Sequence, residues 1–166
     1  MNEKLKSKKI ITKWNQIAIK IRNTIRGLNE NDLNLRSKPD EWTIRETVHH
    51  IVEANLIASN IIIAALATNG YNYDWTWVNP SKDWMHQVEY DTAKVKPGIG
   101  ALQSLCRYIS ALLSSKRTVF KRKVKLNDSP GATRYEMTIE NILQQEIEHA
   151  DEHLKDIRET RKLHLK

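Results

Sequence analysis

Apolar residues recur along this chain with the 3.6-residue period of amphipathic helices, in four separate blocks. The first block, over about 8–29, carries Trp14, Ile17, Ala18, Ile21, Ile25 and Leu28 on one stripe. A polar connector with Pro39 interrupts it. The second block opens on Thr43-Ile-Arg-Glu46, which has the spacing of a capping box. It runs to about Thr68, where Asn69-Gly70 supplies a stop. Its stripe is Ile44, Val48, Ile51, Val52, Asn55, Ala58 and Ile62, and beyond Leu56 the block is apolar almost all round. Such a face implies deep burial or a contact between two copies. The third block runs from near Gly98 to about Thr118, on Ile99, Leu102, Leu105, Cys106, Ile109, Leu112 and Leu113. The fourth starts at Thr138 as N-cap and continues through Ile139, Ile142, Leu143, Ala150, Leu154 and Ile157. Four such helices with one long connection and no strong strand signal predict an all-α four-helix bundle.

Two connections stand out. Residues 69–96 form a long one that carries Tyr71, Tyr73, Trp75, Trp77 and Trp84. Ser81-Lys-Asp-Trp-Met-His opens a short helix within it. A connection this long in a compact domain reads as a cover over a pocket, a contact between copies, or packing across an open bundle face. Before the last helix, Phe120, Val124 and Leu126 keep a period of two, and residues 127–131 have turn chemistry. A short edge hairpin is expected there, its lysines discouraging edge pairing.

With 166 residues, 40% of them hydrophobic and 28% charged, the chain suits a single globular domain over residues 1–166. The charged N-terminus has no apolar core of a signal peptide, and the longest apolar run, Ile61 to Ala67, is too short to span a membrane. One cysteine, Cys106, permits no internal disulfide and suits a reducing, cytoplasmic setting. On its helix stripe it reads as an inert core thiol. The net charge is +7, with a sequence pI of about 9.5. The cations gather in the N-terminal tail, in residues 116–125 and at the C-terminal end. Without aromatic interleaving or a recognition-helix pattern, the 116–125 cluster argues against a nucleic-acid binder.

The chemistry lies in the histidines. His149 and His153, four apart, project from one helix face, inside the apolar stripe, with Glu146 one turn before them. Buried imidazoles need partners, either a divalent metal or hydrogen-bonding neighbours. In the second helix, His49 shares its face with Arg45, Glu46, Glu53 and Asn60 and reads as a solvated residue, whereas His50 lies on the flank of the apolar side. His86 reads as exposed. The motifs Glu46-x-x-His49 and Glu146-x-x-His149 suggest a ferritin-like di-iron site, but the other two helices lack the acids it requires and Glu46 is explained as a cap. One inward histidine on helix two and two on helix four remain: His50, His149 and His153. That number matches a catalytic metal centre with an open position. Zinc, nickel, copper and iron all suit three imidazoles, and ligand softness alone does not choose among them. Glu146 is placed to orient a ligand from behind.

Trp42-Thr-Ile-Arg-Glu-Thr-Val-His-His50, followed by His149-x-x-x-His153, resembles the DinB/YfiT-like family of four-helix-bundle, metal-dependent enzymes. There, a Trp-Ser/Thr-Ile/Val-Arg/Lys segment opens the second helix, and a later histidine joins an H-x-x-x-H pair to bind a divalent metal. The resemblance implies His50, His149 and His153 as ligands. It further implies a homodimer, and an activity like that of thiol S-transferases using bacillithiol or mycothiol, or of a hydrolase. The basic surface suggests an anionic thiol cosubstrate. The competing expectation is a non-catalytic stress-response or interaction protein whose metal is structural or vestigial.

Overall fold

The computed structural model describes residues 3–78, 80–114, 117–127 and 129–165. The first apolar block forms two helices rather than one, α1 (Glu3–Asn15) and α2 (Ile17–Thr24). At the joint the Gln16 amide bonds to Lys13 O, three residues back, and Lys20 then resumes the four-residue ladder on Gln16 O. The second block is α3 (Ile44–Ala67), and α4 (Lys82–Gln87) is the short helix expected in the long connection. α5 (Val95–Ser114) begins three residues before the expected start, with Pro97 in its first turn, where a missing N–H costs nothing. α6 (Ile139–His164) closes the chain. The expected end of the third block crosses Ser115 and Lys116, which lie outside the described residues, as do Asp128 of the expected turn and Lys166 of the C-terminal cations.

The bundle consists of α1–α2, α3, α5 and α6. Both α1–α2 and α3 lie against α5 and α6, so these two face each other across the bundle. One polar bond crosses that centre: Trp14 Nε1 donates to Asn55 Oδ1 at 2.7 Å, and both residues are fully buried. Asn55 in turn donates to Ile51 O at 2.9 Å. A polar residue on the apolar stripe of α3 is thereby satisfied. α3 is long and apolar enough by composition to cross a membrane, yet it is a core helix with half of that window buried inside the bundle. Its apolar C-terminal half is mostly explained by that burial, with Leu56 and Ile63 left exposed.

The expected hairpin is present as β2 (Lys123–Asn127) antiparallel to β3 (Tyr135–Thr138), but β2 is the central strand of three rather than an edge, so its lysines do not guard an open edge. The sequence pattern missed its third strand, β1 (Tyr71–Asp74), which pairs parallel to β2 from Tyr71↔Val124 to Asp74↔Asn127. β1 escapes a period-two reading because both its faces are largely exposed and all its residues are polar or aromatic. Gly70, at φ +82°, turns the end of α3 into this strand. The small sheet occupies one end of the bundle without changing its all-α character. The basic segment is tied into the fold: Arg122 donates to Leu66 O, and Lys123 pairs with Glu136 at 2.6 Å.

If the Trp14–Asn55 bond holds the bundle's centre, Asn55→Ala leaves a buried indole N–H without a partner. A loss of about 2 kcal/mol in urea denaturation is expected, and Trp14→Phe in the same background should recover part of it.

Candidate metal centre

α3 and α6 are neighbours, and their contact sets His50 beside His149 and His153. The capping box of Thr43 and Glu46 fixes where α3 begins: Glu46 N donates to Thr43 Oγ1 at 3.1 Å and Thr43 N to Glu46 Oε2 at 2.6 Å. Glu46 thus serves as a cap, in keeping with the sequence argument against a di-iron role. Arg45, 3% exposed, donates to Asn34 Oδ1, Ala93 O and Glu30 and so clamps two connections onto the helix. On α6, Thr138 accepts from Asn141 N as the expected N-cap.

The Nε2 atoms of His50 and His149 lie 3.1 Å apart, and those of His153 and His149 3.0 Å apart. All three could together hold one metal ion. A tetrahedral ion with bonds of about 2.05 Å sets its ligand atoms roughly 3.3 Å apart, so the His50–His149 and His149–His153 pairs need little adjustment. The Nδ1 atoms turn the other way. His149 Nδ1 is 3.7 Å from Glu146 Oε2, and His153 Nδ1 is 3.5 Å from Asp156 Oδ2. Carboxylates behind Nδ1 favour the proton there and leave Nε2 with its lone pair. Glu146 lies behind His149, but its Oε2 is buried without a hydrogen-bond partner. Asp156, one turn beyond His153, has the same relation to its histidine and was missed, although its i, i+3 spacing mirrors that of Glu146. His50 Nδ1 is buried without a hydrogen-bond partner.

Burial pushes the His50 imidazole down to about 3, with the other two histidines adding to the effect. His153 is lowered as well, first by burial and then by His149. Trp42 covers the group, its ring centroid 4.6 Å from His50 and 5.8 Å from His153. A cavity of about 640 Å3 reaches His50 and His149 from one side, between α3, α6 and the sheet, with Trp75 in its wall. A second, of about 520 Å3, reaches His153 and Trp42 from the other.

His49 differs from expectation. It is 7% exposed, bonds through Nε2 to Ala93 O at 3.2 Å and stacks on Tyr90 at 4.7 Å. The connection after α4 folds over the polar face of α3 and buries it, which periodicity within α3 alone does not reveal. His49 is thus held away from the cluster, in a structural role. Glu53, on the same face, is buried too and lines the larger cavity. His86 is exposed, as expected, and Asp91 at 2.9 Å raises its basicity. Cys106 is a buried thiol pushed up to about 12 by burial, consistent with an inert core residue.

These shifts set a pH dependence. His50 takes a proton near 6.5 when unfolded and near 3 when folded. Its contribution to stability is complete above about pH 6.5 and is lost as the pH falls toward 3, because the unfolded chain then binds more protons. His49 and His153 shift in the same direction. Metal-free protein should lose stability from pH 7 to pH 5, by up to about 1.4 kcal/mol per pH unit for each such group, in urea titrations. His50→Asn should flatten that slope; an unchanged slope would contradict the burial argument.

A family model described as the DinB superfamily matches residues 19–157. No curated protein sequence matches the chain. Among solved structures, YfiT from Bacillus subtilis superposes with a TM-score of 0.83 at 21% identity, covering 98% of this chain and 90% of that one. It is described as a probable metal-dependent hydrolase with an unusual four-helix bundle topology. The shared architecture and a family match over most of its length place the chain in the DinB superfamily.

Proposed function

We propose that the protein is a metal-dependent enzyme of hydrolase or thiol-transferase type, with His50, His149 and His153 as the ligands of one divalent ion, zinc or nickel. The observation that carries this reading is the convergence of three partly buried histidines beside a cavity of substrate size. When bound, the ion supplies Lewis acidity to an oxygen or sulfur ligand at its open side. The chain's own residues do the rest. Burial keeps His50 neutral at physiological pH, so its lone pair is available. Asp156 orients the His153 imidazole from behind, and Glu146 stands behind His149. Trp42 roofs two of the three rings and limits water on its side. The larger cavity gives a substrate its approach to His50 and His149.

Elemental analysis of tag-free protein should find close to one equivalent of metal in the wild type. His50→Ala should lose it and His49→Ala should retain it. With the metal loaded, hydrolysis of nitrophenyl esters, or transfer of a small thiol to an electrophilic dye, should fall at least a hundredfold in His153→Ala. A wild type without metal after incubation with zinc and nickel, or a rate indifferent to His153, would overturn the proposal.

A further inference from the structure

Glu53 is a buried charge that the metal centre does not use. It is 8% exposed. Trp84 Nε1 donates to its Oε1 at 3.1 Å, and the Tyr90 hydroxyl donates to the same atom at 3.4 Å. Both donors are neutral, and neither balances the charge. Burial raises the Glu53 carboxyl above the usual carboxylate range, with the two hydrogen bonds pulling back. A buried carboxylate without a countercharge is costly, and a cation brought by a ligand relieves that cost.

The cavity that Glu53 lines has a consistent character. Its other charged lining residues besides the histidines are Glu146, Glu148 and Glu152, and no Lys or Arg lines it among the described residues. This occurs in a chain of net charge +7, so the basic surface does not extend into the site. A divalent ion at the histidines offsets two of these four carboxylates and leaves the cavity net negative. Ile57, Ile61, Trp75, Leu126 and Met137 form an apolar wall. An anionic thiol would meet carboxylates there, contrary to what the net charge of the chain suggests.

We propose that this cavity takes an elongated amphiphilic substrate carrying a cationic nitrogen, and that Glu53, held by Trp84 and Tyr90, pairs with that charge. The apolar wall accepts the body of the molecule, and the negative lining rejects anions by repulsion and by desolvation. The assignment rests on the metal-centre reading only in making the bound molecule a substrate; the charge preference itself belongs to Glu53.

The test uses the full chain, both zinc-loaded and after EDTA treatment, with binding followed by calorimetry. Hexyltrimethylammonium, which cannot ligate a metal, is compared with 1-hexanol in both states and with hexanoate in the chelated state. The cation is expected to bind at least about tenfold more tightly than the alcohol, as a buried charge pair would give. Glu53→Gln, nearly isosteric and checked for folding by circular dichroism, should reduce that preference to about threefold or less. Glu136→Gln, outside the cavity, should leave it unchanged. Should Glu53→Gln fail to fold, the wild-type preference and its weakening in the rim double variant Glu148→Gln, Glu152→Gln decide the matter. Equal binding of the alcohol or the carboxylate, or a preference unaffected by Glu53→Gln, would overturn the assignment. A Glu53-dependent preference in a protein that binds no zinc would sink the metal reading and leave this one standing. Zinc binding without the preference would do the reverse.

Discussion

Three imidazoles, gathered from two helices into one partly buried group, are the constraint around which the rest is arranged. The Nε2 atom of His149 lies about 3 Å from those of both His50 and His153. Such a group is unfavourable if any of the rings takes a proton, and its lone pairs are left without full complements of donors unless something cationic binds between them. The fold concentrates its polar devices here. A capping box sets the start of α3, Arg45 fastens two connections to its first turn, and Glu146 and Asp156 stand behind the α6 histidines. Trp42 lies over the rings. The conspicuous Trp-Thr-Ile-Arg run at the start of α3 therefore has a separate physical role at each position: a cover, a cap, a core residue and a clamp.

The bundle itself was legible because its helices are amphipathic and their caps are explicit. Thr43 and Thr138 both accept the hydrogen bonds their positions predict. The orientation of His50 was legible for the same reason, since it lies on the flank of the core-facing stripe. His49 and Glu53 were misjudged together. A helical wheel separates core from solvent only where solvent covers the other face, and here residues 84–93 cover it. Trp84 and Tyr90 reach Glu53, and Ala93 O accepts from both His49 and Arg45. These contacts join residues 31 to 48 positions apart, a distance over which local periodicity carries no information.

β1 illustrates a related limit. Tyr71–Asp74 has no alternating apolar pattern because neither of its faces enters the core deeply; it exists by pairing with β2. The aromatic-rich connection thus does two jobs. Its first part adds a strand and places Trp75 in the wall of the larger cavity, and its later part seals the polar face of α3. Net charge has a similar limit: a sum over the chain does not give the sign inside a cavity lined by four glutamates.

The measurement that bears most directly on the central claim is an anomalous-scattering map from crystals grown with zinc. The account predicts one strong peak within about 2.1 Å of the Nε2 atoms of His50, His149 and His153, with Glu146 and Asp156 still on the Nδ1 side. A peak at other residues, or none at this cluster in crystals that bind zinc elsewhere, would contradict it.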